Sequence, residues 1–494
     1  MQAIKINSID NVAVALCDLK KGDTVTLDSL NCKINSDIPS GHKFSVTSIP
    51  KGSDIIKYGC VIGKATALIH EGTWVHTHNV VTRLNEETKY NFQPLSGDTC
   101  FSGSSARTFK GYLRADGSVG VRNEVWIVPT VGCVNSIATA LSSGIQDYAK
   151  GRVDNVRIFN HPYGCSQMGE DQLNTQKALA ALVRHPNAGA VLVLGLGCEN
   201  NNIHEFQKVL GKTDPDRVKF LECQSVEDEI AEGIEILTGL VDYASKFTRE
   251  HISVSKLIVG LKCGGSDGLS GISANPLVGK FSNKLIKCGG TTILTEVPEM
   301  FGAEELLFNR CESKDVFNRA VKLVDDFKQY FTSHNLAVYE NPSPGNKLGG
   351  ITTLEDKSCG CVQKGGTGTI VDVLDYTEPV CKSGVNLLKA PGNDIVSSTA
   401  LMLSGAQIVL FTTGRGTPLG TGVPTLKISS NTALSTHKTN WIDFNAGMLI
   451  NGIPLKSLAD DLFDLVIETA NGRTTRSETA SYSEFAIFKQ GITL

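Results

Sequence analysis

Two histidines one residue apart, His76 and His78 in the run Thr73-Trp74-Val75-His76-Thr77-His78-Asn79, carry the strongest metal signal of this sequence. The run reads as the end of a strand, where side chains two apart share a face. His42, in Gly41-His42-Lys43, would bring a third imidazole. Three nitrogens suit a divalent ion with open positions, and substrate contact is the other chemistry the pair could serve. His70, standing alone, reads as a surface residue. A second set is made of thiols: Val131-Gly132-Cys133, Tyr163-Gly164-Cys165 and Leu196-Gly197-Cys198 end three apolar runs, with the cysteines 32 and 33 residues apart. Three converging thiolates could hold an iron–sulfur cluster with one iron open to substrate. No Cys-x-x-Cys spacing supports a metal here, so packing of a small residue where strand meets helix is the weightier reading.

The stretch from Glu340 to Gly366 concentrates polar chemistry where a globular chain usually keeps its core. Pro342, Pro344, Gly345, Gly349 and Gly350 forbid a long regular element in its first half. Lys347, Glu355, Asp356, Lys357, Cys359, Cys361 and Lys364 crowd the rest, just before the apolar run Thr369 to Leu374. Such a loop either carries function or merely connects. Lys347, Lys364, His76 and His161 are all eligible as a general base, with Lys347 and His76 ranked first. Glu355 and Asp356 would bind metal or pair with Lys357. Two glycine-rich turns, at Ser266-Asp267 and at Gly414-Arg415-Gly416, could hold a carboxylate through backbone N–H groups and the Arg415 fork; the structural reading is a tight turn with Asp267 as a helix cap. Gly195-Leu196-Gly197-Cys198-Glu199-Asn200 lacks the third glycine of a dinucleotide fingerprint.

These groups need elements to position them. The chain has 494 residues, enough for about three domains at ~150 residues each. With 41% hydrophobic and 20% charged residues it reads as an ordinary globular protein. A net charge of −4 without a basic tract gives no case for nucleic acid. No run is long enough to cross a bilayer and no signal peptide opens the chain, so a cytoplasmic location is expected and the 14 cysteines should be reduced. Up to residue 83, short strands separated by Lys-Gly and Glu-Gly turns predict a small all-β domain. Residues 84–108 read as a linker. From residue 109, apolar runs ending in glycine-rich loops alternate with helical stretches, the pattern of α/β units on a parallel sheet. Ligands would then gather beyond the carboxyl ends of the strands.

Several motifs carry a family resemblance: NPSPGNK, GGITTLEDKS, GCVQK, TTGRGTP and WIDFNAG, within a likeness running from Asp10 to the terminal AIFKQGITL. The sequence resembles the altronate dehydratases of the sugar-acid hydro-lyase superfamily that includes galactarate dehydratases. The resemblance implies a β-clip (SAF-like) domain over 1–83, a middle α/β domain over 109–251 that helps form a homodimer, and a Rossmann-like α/β domain over 252–494. It implies loss of water from D-altronate to give 2-dehydro-3-deoxy-D-gluconate in hexuronate catabolism, with Fe(II), or Mn(II) in its place, under reducing conditions. The site expected from all of this places Lys347 and His76 in catalysis, and Arg415, Asp267, Ser266 and Lys364 on the small-molecule sugar acid. His42, His76 and His78 would hold the metal, with Cys133, Cys165 and Cys198 as the other set. The family often has a further histidine where Trp74 stands, and a leucine where Cys359 stands. A galactarate dehydratase, an NAD-dependent sugar-acid oxidoreductase and a non-catalytic sugar-acid binding protein are the competing functions.

Overall fold

The computed structural model describes residues 2–27, 30–84, 90–95 and 107–491. In the N-terminal domain Val12–Ala15, buried along its length, pairs antiparallel with Ala3–Ile4 and Lys43–Ser45, and the latter pairs with Trp74–Val75. A three-stranded sheet of Asp54–Lys57, Cys60–Ala65 and Val80–Val81 completes it, with the hairpin of Thr24–Leu27 and Leu30–Lys33 alongside. The recurring turns work because Gly22, Gly52 and Gly72 take φ of 99°, 81° and 73°, a region that only glycine enters freely. The strand expected to run through His78 stops at Val75. Asn79 accepts from the His76 backbone N–H and donates to the Trp74 carbonyl, both at 2.9 Å, and this folds 76–79 into a turn. Strand alternation therefore does not set the direction of the two imidazoles.

The middle domain is a four-stranded parallel sheet in the order Val156–Ile158, Glu124–Pro129, Ala188–Gly195, Val218–Glu222. Helices Asn135–Ala149, Gly169–Arg184, Ile203–Leu210 and Glu229–Ala244 accompany it. Burial of both faces explains the unbroken apolar runs in its central strands. Thr108–Leu113 pairs antiparallel with Glu250–Ser253 where this domain meets the next. Of the expected linker, 85–89 and 96–106 lie outside the described residues.

The last domain holds seven parallel strands in the order Ile370–Leu374, Val385–Leu388, Thr291–Leu294, Ile258–Cys263, Ile408–Thr413, Thr425–Ser429, Phe444–Asn445. The chain enters at Ile258–Cys263, winds to one side, and returns to wind to the other. This creates a crevice between the carboxyl ends of Ile258–Cys263 and Ile408–Thr413. The stretch 340–366 differs from the loop expected. It contains a short helix, Pro344–Leu348, and a second helix, Leu354–Cys361, every residue of which is buried. No described helix is long and apolar enough to cross a membrane.

The N-terminal domain docks on that stretch through charge and backbone contact. Lys43 and Lys57 reach Asp356 at 2.8 and 3.0 Å, and Lys43 also donates to Gly350 O at 3.0 Å. A Cβ on Gly268 would stand 1.9 Å from Gly41 O, so this approach of two backbones requires glycine. Glu355 accepts from Thr82 Oγ1 and from the Arg83 backbone N–H. Neither carboxylate pairs with Lys357, as the sequence alone suggested they could.

Candidate active site at the carboxyl edge of the large sheet

A cavity of about 430 Å3 opens beside the crevice, lined among others by Gly264, Gly265, Glu299, Asn346, Lys357 and Asp394. Each comes from a strand end or from the 340–366 stretch. Gly264 and Gly265 follow Ile258–Cys263; Asp394 opens helix Asp394–Leu403, capped by Asn393. Asn346 is held by its Nδ2, which donates to Ser266 O at 2.8 Å. Glu299 stands in the short turn after Thr291–Leu294 and Glu296, whose φ of 69° is rare for a residue other than glycine. This local strain at a strand end marks a site the surrounding fold holds in place.

Charge is packed tightly around this cavity. Lys262, fully buried, donates to Glu296 and, at 2.7 Å, to Asp394 Oδ1. Lys357 lies 2.8 Å from Glu299 Oε1 and donates to Asn341 Oδ1 at 3.0 Å. Lys364 donates to Cys263 Sγ at 2.8 Å, and that sulfur lies 2.9 Å from Glu299 Oε2 and 3.4 Å from Cys361 Sγ. The hydrogen bond from Cys361 brings the Cys263 thiol down to about 7, against burial and Glu299, with Lys364 and Lys357 assisting. Burial would raise Glu299, but Lys357 and Lys364 outweigh it and hold the carboxyl well below the usual range. Burial and the neighbouring Glu299 push Glu296 up. Both Lys357 and Lys364 are held above the usual lysine value, burial being overcome by Glu299 in the first and by the two thiols in the second. The cavity therefore offers a fixed ammonium, a carboxylate with one oxygen on Lys262, and loop N–H groups, in surroundings where charge interactions are strong.

Some of the residues singled out in the sequence meet here. Ser266 is buried beside the cavity loop and its hydroxyl has no partner among the described residues. Arg415 is exposed at the neighbouring strand end, with its backbone N–H on Gly265 O and no ion pair among the described residues. Lys364 lies beneath the cavity. Asp267, in contrast, spends its carboxylate on Ser270, Ser430 and Asn431, which makes it a brace of the loop. Lys347 is half-buried on the helix whose Asn346 lines the cavity. Cys359 and Cys361 are buried in Leu354–Cys361. Cys133, Cys165 and Cys198 belong to the middle domain, at the carboxyl edge of its own sheet.

His42 and His76 stack at 5.1 Å behind Pro344–Leu348. Trp74 Nε1 donates to His42 Nδ1 at 3.2 Å, so the other nitrogen carries the proton and donates to Leu348 O at 3.2 Å. His76 Nε2 likewise donates to Lys347 O at 2.9 Å, and its Nδ1 faces the Thr77 hydroxyl. His78 is exposed, 5.3 Å from the Trp74 ring. With both His42 nitrogens engaged, the three rings as placed do not turn three lone pairs to one point, and a metal there would have to displace the carbonyl partners. The donors that do gather within 4.8 Å among the described residues are Cys263, Glu299 and Cys361, but two ammoniums already neutralise them.

Lys262, Glu296, Glu299 and Asp394 were not singled out in the sequence. A signal existed for two of them: Lys262 ends the apolar run LIVGLK and Glu296 ends TILTE, and a charged residue at the end of a buried parallel strand is a candidate for chemistry; Glu299 and Asp394 stand further along, in the turns that follow their strands.

Profiles of three families cover the chain: the altronate/galactarate dehydratase SAF domain over 1–83, the second domain of D-galactarate dehydratase/altronate hydrolase over 111–245, and the C-terminal domain of D-galactarate/altronate dehydratase over 254–493. The altronate dehydratase of Escherichia coli K12 is 52% identical across 100% of both chains. That of Bacillus subtilis 168 is 49% identical across 99% of both. The L-threo-forming galactarate dehydratase of Escherichia coli K12 is 32% identical over 98% of this chain and 96% of its own.

Proposed function

The chain belongs to the D-galactarate/altronate dehydratase family, and from that premise we propose that it removes water from D-altronate to give 2-dehydro-3-deoxy-D-gluconate, a step of hexuronate catabolism. The observation that carries the choice of substrate is identity over the whole length, 52% to an altronate dehydratase against 32% to a galactarate dehydratase. We read the seven-stranded domain as Rossmann-like, from its winding in both directions out of a central strand.

Elimination takes the hydrogen beside the carboxylate as a proton and lets the neighbouring hydroxyl leave as water; the enol then becomes the ketone. The proton is weakly acidic, so the growing negative charge must be met by groups already in place. Arg415, the Ser266 hydroxyl and the Gly265 N–H hold the carboxylate in this reading, the Gly264 N–H being spent on Thr412 O at 3.0 Å, and the Lys357 ammonium faces the enolate. Asp394 takes the proton, a role worth ~10²–10⁴-fold. Its side chain is 39% exposed to the cavity and one oxygen is anchored on Lys262. Lys347, next in sequence to the cavity-lining Asn346, meets the departing hydroxyl in this reading, and His76 positions its helix by donating to the Lys347 carbonyl. A divalent ion, Fe(II) or Mn(II), would stabilise the developing charge; at His42, His76 and His78 it would require both stacked rings to turn.

The test is a colour assay for 2-keto-3-deoxy acid on a panel of hexonates and hexarates, with nicotinamide absorbance followed in parallel. Keto acid from altronate without a nicotinamide signal is expected. Reduction or oxidation of a nicotinamide, or binding of altronate without its consumption, would overturn the reading.

A further inference from the structure

Five of the described cysteines are exposed: Cys17, Cys133, Cys165, Cys198 and Cys381. Free cysteine is normally among the most buried residue types, yet three of these five stand together. Glu124–Pro129, Val156–Ile158 and Ala188–Gly195 are neighbours in the middle sheet and run parallel, so the loops that follow them leave from one edge. Each loop carries one of the thiols. Backbone and side chains tie the loops to one another at the residues beside the cysteines. Gly132 N donates to Tyr163 O at 2.9 Å, Asn201 N to Gly164 O at 3.0 Å, and Ser166 N to Asn200 Oδ1 at 2.9 Å. The approach is close enough that a Cβ on Gly164 would stand 2.0 Å from Thr130 O.

From this arrangement we propose that Cys133, Cys165 and Cys198 ligate a [4Fe–4S] cluster through three thiolates, leaving one iron open to an oxygen ligand. Packing, the weightier reading from sequence, does not explain three solvent-exposed thiols on one edge. A single ion is disfavoured by spacing: thiolates around one tetrahedral ion stand about 4 Å apart, whereas these three are not among the donors gathered within 4.8 Å in the described residues. A cluster places each thiolate on its own iron and tolerates the wider separation. The surroundings suit an anionic thiolate set. Helices Asn135–Ala149, Gly169–Arg184 and Ile203–Leu210 all begin just after the three cysteines and direct their N-termini to this edge. Gln167, only 5% exposed, accepts from Gly164 N at its Oε1 at 3.1 Å while its Nε2 has no partner among the described residues; an N–H donor beside Cys165 is the kind of group that stabilises a cluster sulfur.

The experiment uses the full chain, purified without oxygen and supplied with ferrous iron and sulfide under reducing conditions. About four irons and four acid-labile sulfides per chain, with broad visible absorption, are expected. Cys133→Ser, Cys165→Ser and Cys198→Ser should each lose most of the sulfide and the visible band while keeping the melting temperature of the cluster-free protein; Cys17→Ser and Cys381→Ser should lose neither. Iron bound without sulfide, no uptake at all, or a cluster retained in the triple variant would overturn the proposal. None of these readouts depends on which sugar acid is dehydrated.

Discussion

Arg415 stands at a strand end with its guanidinium in no ion pair among the described residues, and a planar fork there can grip a carboxylate through two parallel hydrogen bonds where lysine offers one point charge. Arg415→Lys should therefore lower kcat/KM about 10²-fold with an unchanged melting temperature. A stable variant with unchanged kinetics would remove the clamp. Asp394→Asn keeps the shape of the side chain and removes the proton acceptor, so kcat should fall ~10²–10⁴-fold; if Lys347→Ala falls that far and Asp394→Asn does not, the base is Lys347. His42 gives a pH test. Burial holds its ring down to about 4, and His185 is held at about 4 for the same reason. In the unfolded chain both take a proton near ~6.5, so the folded state loses stability as pH falls from 6.5 toward 4, and the loss is complete below 4. His42→Gln should make melting temperature less steep over that window, and an identical slope would contradict the assignment. The strand-end positions of Arg415 and Ser266 were legible because glycines flank or precede them after apolar runs. Glu299 and Asp394 were not, since a carboxylate a few residues past a strand has the same composition as any turn.

Helix Leu354–Cys361 shows where sequence reasoning runs out at the level of elements. Glu355, Asp356 and Lys357 in succession normally announce solvent, and here each is buried because a different partner from outside the helix meets it: Thr82 and Arg83, Lys43 and Lys57, and Glu299. Those partners lie tens to hundreds of residues away, so no local window contains the information. The parallel strands were legible for the opposite reason. Burial on both faces demands an unbroken apolar run, and such runs at Val125, Ala190, Leu257 and Gln407 coincide with strands. The strand at Trp74 ended early because one side chain, Asn79, bonds the backbone on both sides of Val75, at Trp74 O and His76 N. The helix also yields a prediction. Asp356 is the only described carboxylate in ion-pair contact with Lys43 and Lys57; removing one member of a buried ionic group leaves charge uncompensated at a cost of about 3–5 kcal/mol. Asp356→Ala should lose that much in urea unfolding, and a loss below about 1 kcal/mol would mean that water already reaches the pair.

Across the whole molecule, the N-terminal domain, the 340–366 stretch and the carboxyl edge of the large sheet form one assembly. Gly41 meets Gly268 and Gly350, His42 and His76 hold the helix that lines the cavity, and Asn346 of that helix holds the Ser266 loop. The domain order was legible because motifs run the length of the chain, but the contacts between domains depend on backbone approaches that leave only glycines as their trace. The account's central claim is that this assembly dehydrates altronate, and the most direct measurement is the ratio of kcat/KM for D-altronate to that for galactarate, in purified protein under reducing conditions with Fe(II). A ratio well above one, with a 2-keto-3-deoxy acid as product, is predicted. Product from galactarate and none from altronate would contradict it.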